Sequence, residues 1–170
     1  MSENRASIPE DVGRHIDDNY RTFMVTHRKD GSPTCHPMAR FYADGRYYLN
    51  MYSTSTKHRN LQRDPRIFCL VTSASDDPDF RAAVYEGRAR YLPPDETLAD
   101  DAPTAVRMAR GINMEGVKSE EDAPEKFKNE DPTDLLKRAA IMRQRIRDGV
   151  RVLWEVVPER VAWLTDVRGR

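Results

Sequence analysis

The chain has 170 residues, 38% hydrophobic and 33% charged, and its 28 Lys+Arg balance 28 Asp+Glu to give no net charge. A chain of this length makes one domain that buries roughly 70% of its unfolded surface, enough for a core without disulfide or metal staples. Electroneutrality argues against a nucleic-acid or membrane-surface protein, whose binding rests on a basic excess, and no apolar run nears the roughly 20 residues of a membrane span.

In chain order, Met1 to Gly13 is polar and mixed in charge, unlike a signal or transit peptide, and this predicts a cytoplasmic protein. Arg21 to His27 reads as a first strand. Lys29-Asp30-Gly31-Ser32-Pro33 is a turn by composition, and Thr34 to Tyr42 is a second strand. Asp44-Gly45 then marks a tight hairpin, because glycine tolerates the positive φ that such a turn demands. In the third strand, Arg46 to Tyr52, alternation puts Tyr47, Leu49 and Met51 on one face and Tyr48, Asn50 and Tyr52 on the other. Both faces bear large side chains, so the strand is expected to be covered on both sides.

The hydroxyl-rich Ser53 to Thr56 supplies an N-cap for a two-turn helix that Pro65 helps to end. Arg66 to Ser73 is apolar at successive positions, as in a centrally buried strand. Arg81 to Leu92 is a fifth strand, with Gly87 in its middle suggesting a bulge or a close approach by another group. Glu96 to Arg110 is a helix candidate. Glu115 to Asp131 has ten charged residues in seventeen and reads as a solvated loop, either a lid or an insertion. Asp131-Pro132 opens a helix in which Leu135, Ala139, Met142 and Ile146 recur at helical spacing up to Gly149. Val150 to Val157 and Arg160 to Thr165 close the chain as two strands separated by Pro158-Glu159. The fold class is therefore mainly β (α+β): a six- to seven-stranded antiparallel split β-barrel with a few peripheral helices. It forms a single domain over 1–170, with barrel strands in 20–92 and 150–166 and a helical, charged-loop insertion at 94–149. Cys35 and Cys69 are expected as buried, inert thiols. His15, His27, His36 and His58 lack metal-ligand spacing, so no metal is expected.

The stretch with chemistry is Ser55-Thr56-Lys57. The first turn of a helix has unpaired N–H groups and the positive end of the helix dipole. Two hydroxyls, one ammonium, and Arg59 and Asn60 about one turn on make a seat for a phosphate dianion. The same residues also describe an ordinary capped surface helix. A rival reading takes Lys57, His58, Arg59, Arg63 and Arg66 as a nucleic-acid patch, with Tyr42, Tyr47, Tyr48 and Tyr52 stacking bases; the neutral charge balance weighs against it.

Phe23 to Val71 resembles the flavin-binding split barrel of pyridoxamine 5'-phosphate oxidases and flavin/deazaflavin-dependent oxidoreductases. The matching residues are Asp30-Gly31-Ser32-Pro33, His36-Pro37-Met38-Ala39-Arg40-Phe41, Asp44-Gly45-Arg46-Tyr47-Tyr48-Leu49, Ser55-Thr56-Lys57 and Arg59 to Arg66, in order and without a gap. Glu86-Gly87-Arg88-Ala89 and Val156 to Val161 fit the later strands. The resemblance implies an FMN- or F-420-dependent oxidoreductase that transfers hydride to or from a small organic molecule. It implies a homodimer with the cofactor at the subunit interface. Pro37, Met38, Ala39 and Arg40 would run beneath the ring and offer backbone groups, with Arg40 supplying positive charge. Asn50 and Met51 would flank the ring or ribityl chain. Ser55, Thr56 and Lys57 would hold the phosphate, with Asn60 nearby and Arg59 and Arg63 available to an acidic deazaflavin tail. Some members bind haem, so a flavin- or haem-binding carrier or sensor is the alternative. The chain departs from the vitamin B6 oxidases at Cys35, Thr56 and Ala82, and it has no Arg-Leu-His motif after Val150.

Overall fold

The computed structural model describes residues 5–19, 21–73, 81–110 and 132–164. Six antiparallel strands close into a barrel: β1 (Arg21–His27), β2 (Pro33–Ala43), β3 (Arg46–Tyr52), β4 (Arg66–Thr72), β5 (Ala82–Leu92) and β6 (Arg151–Trp163), in the spatial order β1-β2-β3-β6-β5-β4 with β4 returning to β1. Five helices accompany them: α1 (Glu10–Asp18), α2 (Thr56–Arg63), α3 (Pro94–Leu98), α4 (Thr104–Ala109) and α5 (Pro132–Arg147). No helix among the described residues is long and apolar enough to cross a membrane. The loop expected at Glu115 to Asp131 lies outside the described residues.

Local chemistry sets the hairpins. Asp44 and Gly45 both adopt positive φ, 53° and 70°, so the β2–β3 turn has the twist that a two-residue hairpin needs. At the β1–β2 turn, Gly31 has φ 85° and the Asp30 carboxylate accepts from the Ser32 amide at 2.9 Å and hydroxyl at 2.7 Å.

Alternation along the strands sorts two cores. Met24, Tyr47, Leu49, Met51, Ile67, Cys69, Val71, Tyr85, Trp154 and Val156 fill the barrel. Helix α1 adds Val12 and Ile16 to this core, one turn apart on its buried face. Sequence reading does not assign α1, although Val12 and Ile16 stand four apart among charged residues, the spacing of one helix face. Tyr48, Leu92 and Leu153 on the outer face pack with Ala102, Ala105, Val106, Ala109 and Ile146. The protein's own helices thus cover part of the outer face of β3, while Tyr52 at its end is 46% exposed.

Three expectations are corrected. The helix expected over Glu96 to Arg110 is two short helices, because Pro103 cannot donate within a helix and instead precedes the first residue of α4. The two closing strands are one continuous β6. Between Glu86↔Arg160 and Gly87↔Pro158 the register shifts, leaving Glu159 as the extra residue of a bulge that absorbs the proline. Cys35 is exposed, since β2 turns it outward; Cys69 is buried, and burial pushes its thiol up to about 12.

Glu155 is fully buried on the outer side of β6. Its carboxylate takes Arg5 at 2.8 Å, Arg90 at 2.9 Å, the Arg46 guanidinium at 3.9 Å and the Tyr48 hydroxyl at 3.3 Å. One acid thereby ties the N-terminal segment, β3 and β5 to β6, and Arg90 extends the network to Glu96 of α3 at 2.8 Å.

Two stability outcomes follow from this packing. A Cβ on Gly87 would lie 1.9 Å from the Val157 carbonyl oxygen, so Gly87→Ala should destabilise by at least about 2 kcal/mol, read as a lower urea midpoint. Glu155→Gln, which leaves three partly exposed guanidinium groups without their shared anion, should cost about 2–3 kcal/mol. A midpoint within error of wild type for either variant would remove that constraint from the fold.

Candidate functional site

Strands β2 and β3 pair only from Arg40↔Leu49 to Ala43↔Arg46. Toward the start of β2 they diverge: among the described residues, 33–39 pair with β1 on one side and with no strand on the other, while Asn50 to Tyr52 of β3 pair only with β6. Helix α2 begins beside this split. Backbone N–H and C=O groups along the unpaired edge of β2 are thus available to something other than a strand.

Asn60 is buried and donates from Nδ2 to the Thr26 hydroxyl at 3.0 Å and the Thr34 hydroxyl at 3.3 Å, while its Oδ1 accepts from Arg63 at 3.0 Å. The Asn60 side chain is thereby occupied within the protein. It positions α2 against β1 and β2.

At the N-terminus of α2 the Ser55 hydroxyl caps the helix, accepting from the His58 amide at 3.3 Å, and the Arg59 amide bonds the Ser55 carbonyl at 3.2 Å. The amides of Thr56 and Lys57 have no acceptor among the described residues. The Thr56 hydroxyl accepts from Arg59 at 3.4 Å and keeps its own proton to donate. Lys57 is half-buried and forms no ion pair among the described residues; burial first, then the nearby Arg151 guanidinium, hold its ammonium below the ordinary lysine value.

Arg151 and His36 join these groups from distant parts of the chain. Arg151 opens β6 opposite Tyr52, and its guanidinium lies over the Tyr52 ring, 3.6 Å from the centroid. Its Nε is buried without a hydrogen-bond partner. His36, on β2, likewise has a buried Nε2 without a partner; burial, Lys57 and Arg28 lower its pKa. Lys57 and Arg151 lie within electrostatic reach of each other, and neither forms an ion pair with a carboxylate among the described residues; such an arrangement favours an anion. Arg151 escapes sequence reading because it lies 94 positions from Lys57, after the helical insertion. Its one signal is a cation opening the strand that runs beside Tyr52.

The other expected site residues fall differently. Pro37, Met38 and Ala39 lie on the unpaired edge, with Met38 packed against the barrel core. Arg40 is buried, and its guanidinium donates to the Asn19 carbonyl at 3.0 Å and to the Asp17 carbonyl. It therefore holds the C-terminus of α1, where a cation complements the helix dipole. Asn50 donates to the Ala109 carbonyl at 3.0 Å, fixing α4 against β3, and leaves its Oδ1 buried and without a partner. The Met51 side chain is inside the barrel, so only its backbone can border the split. Arg63 is tied to the His27 carbonyl at 2.6 Å, whereas Arg59 stays exposed. His58 is buried and accepts the Trp154 indole N–H at Nδ1, 3.1 Å. With His58, Tyr42, Tyr47 and Tyr48 all buried, the base-stacking reading has lost most of its platform.

The residues present fit a phosphate-bearing group: among the described residues the Thr56 and Lys57 amides have no acceptor, the Thr56 hydroxyl keeps its proton to donate, and Lys57 lies within electrostatic reach of Arg151 and of His36.

Among solved structures, the chain is similar to a conserved hypothetical protein from Mycobacterium tuberculosis at a TM-score of 0.62 and 18% identity, over 96% of this chain and 88% of that one. A heme binding protein from Mycobacterium smegmatis aligns at 0.59 and 17% identity over 97% of this chain, which spans 57% of that protein. An F420 reductase aligns at 0.56 and 17% identity, over 91% and 98% of the two chains. Identities this low bear on the fold alone. No curated protein matches by sequence. The model of the family described as pyridoxamine 5'-phosphate oxidase matches residues 8–163, the whole span from the approach to α1 to the end of β6. On that match, over a barrel that splits between its second and third strands, the chain belongs to the pyridoxamine 5'-phosphate oxidase-like split-barrel family.

Proposed function

We propose that the protein is an oxidoreductase that holds a phosphorylated flavin or deazaflavin, FMN or coenzyme F-420, in the split between β2 and β3. Hydride then passes between that cofactor and a small organic molecule. The observation that supports this most directly is the uncompensated positive charge at the N-terminus of α2, with Lys57 and Arg151 in mutual electrostatic reach and no acid between them. A group with a terminal phosphate would meet the Thr56 and Lys57 amides, the Thr56 hydroxyl and the Lys57 ammonium, while Ser55 keeps the helix start in place. The unpaired edge at Pro37 to Ala39 and the orphaned Asn50 Oδ1 lie on the same split and would orient the ring through hydrogen bonds.

The bound cofactor supplies the hydride chemistry; the chain supplies binding, orientation and electrostatics. Arg40 keeps its charge while its guanidinium is held by the carbonyls at the end of α1. Ala82 is small and buried on β5, and Cys35 and Thr56 replace the arginines expected of vitamin B6 oxidases, which supports a substrate other than pyridoxamine phosphate. Exposed Phe23, Tyr52 and Tyr91, at 40%, 46% and 40%, give aromatic surface to a second copy of the chain, in keeping with a homodimer.

Titrating the purified protein into FMN and into F-420 should change the fluorescence of at least one of them saturably. Lys57→Ala should weaken that binding by about 1.5–3 kcal/mol, the worth of a charged hydrogen bond. Two flat wild-type titrations would sink the reading, and an unchanged affinity in the variant would take Lys57 off the phosphate. Steady-state consumption of the reduced cofactor distinguishes the enzyme from a carrier on the same barrel.

A further inference from the structure

We infer that His58 is an acid-released latch on α2: as a neutral ring it accepts the Trp154 indole N–H and ties the helix to β6, and as an imidazolium it cannot hold that bond. The inference rests on the contacts between α2 and the barrel, and it stands whichever ligand the split takes.

Helix α2 meets the barrel through two buried polar side chains set two residues apart. Asn60 reaches Thr26 and Thr34 on the β1–β2 side, and His58 reaches Trp154 on β6, with 3.1 Å between Nδ1 and the indole Nε1. The His58 and Trp154 rings meet edge to face, 5.6 Å between centroids at 63°, and the Tyr91 ring of β5 lies 5.5 Å from Trp154 and 6.5 Å from His58. An indole N–H can only donate, so Nδ1 of His58 is the bare nitrogen and the neutral ring carries its proton on Nε2. A second proton can go only to Nδ1. There it would set one N–H against another, and the indole presents to the new charge its edge, the positive side of its quadrupole. Trp154 is 4% exposed and His58 7%, so little water reaches the pair to accept the displaced indole proton. A buried donor stranded in this way costs more than the bond contributed net.

No charge offsets that cost. Burial lowers the proton affinity of His58 below that of an ordinary imidazole, and no acid or cation among the described residues adds to or opposes the effect. Lys57 and Arg59 flank it on α2. Tyr91 is the titratable side chain whose ring meets it from β5. Arg90 and Glu155, the charged neighbours of Tyr91 and Trp154, alternate onto the other face of the sheet and pair with each other at 2.9 Å. On β1, His27 stands 3.9 Å from Asp64, past the far end of α2. The sign follows from linkage. The folded state takes this proton less readily than the unfolded chain, so the stabilisation is complete above the unfolded value of about 6.5 and is lost as pH falls through the lower folded value. Below it α2 keeps the Asn60 bonds and the Arg63 bond to the His27 carbonyl, and its first turn loses the tie to β6.

The test uses the intact protein, whose two tryptophans are Trp154 and Trp163. NMR follows the His58 ring and the Trp154 indole N–H from pH 8 to 5, the indole signals being assigned with Trp163→Phe. Urea unfolding is measured over the same range for wild type and for His58→Asn, whose Oδ1 offers an acceptor in place of Nδ1 that does not titrate. The ring and the indole N–H should move together with one midpoint below about 6.5. Between pH 7.5 and 5 the wild-type unfolding constant should rise at least about threefold more than that of His58→Asn, and the indole signal of the variant should stay flat. A midpoint at or above 6.5, a ring still neutral at pH 5, global unfolding before the ring takes its proton, or an indole N–H that ignores the ring would each overturn the inference. So would the same pH dependence in His58→Asn; if that variant does not fold, the paired wild-type titrations decide alone.

Discussion

The structure turns on one amide. Asn60 holds two threonine hydroxyls, one on β1 and one on β2, and takes the Arg63 guanidinium on its remaining oxygen. Buried polar groups of this kind are costly unless fully satisfied, and here the amide and both hydroxyls are bonded, with Thr26 and Thr34 also 3.1 Å from each other. The consequence is geometric. The short helix that follows β3 is thereby tied to the end of β1 and the start of β2, where β2 has no partner strand on its other side among the described residues.

A second constraint keeps the split open. If β3 followed β2 along its full length, the edge at residues 33–39 would be paired and closed to any ligand. Its outer face is instead drawn toward the helices, through Tyr48 in the second core and the Asn50 bond to the end of α4. Glu155 fixes the other side of β3, joining Arg46 at its start and Tyr48 to β6. Between them these contacts direct β3 toward β6 and away from the first half of β2. The helical insertion therefore does more than cover apolar surface: it helps hold the strand that borders the site.

Much of the barrel was legible because its signals are local. Asp44-Gly45 needs positive φ and has it, Gly87 marks the bulge that the ladder shows, and Ser55 caps α2. Misreadings arose where tertiary context decides. Pro158-Glu159 looks like a break between strands, but opposite Gly87 a bulge accommodates both residues without interrupting β6. Helix α1, whose Val12 and Ile16 are spaced as one apolar face, is held by the barrel, with Trp163 donating to Asp11 at 2.7 Å and Arg40 at its C-terminus. The sequence displays the charge of Arg40 but not the carbonyls at the end of α1 to which it donates. The hydroxyls and Lys57 of the proposed seat form a contiguous run in the sequence, whereas His36 and Arg151 come within electrostatic reach of Lys57 only through the fold.

The balance of 28 cations and 28 anions looks, from composition, like a protein with no electrostatic business, yet the structure distributes those charges unevenly. Glu155 gathers Arg5, Arg46 and Arg90; Asp64 takes Arg66 at 2.6 Å and lies 3.9 Å from His27; Glu86 faces Arg160 at 3.7 Å. Acids are engaged by arginines around the barrel, and no acid is assigned to Lys57 or Arg151 among the described residues. With no net charge there is little long-range field to draw anions in general, and beyond about 8–10 Å salt screens what remains. An anion site at the start of α2, as proposed above, would therefore act at short range, where the partial burial of Lys57 weakens screening, and would select its ligand by fit after encounter.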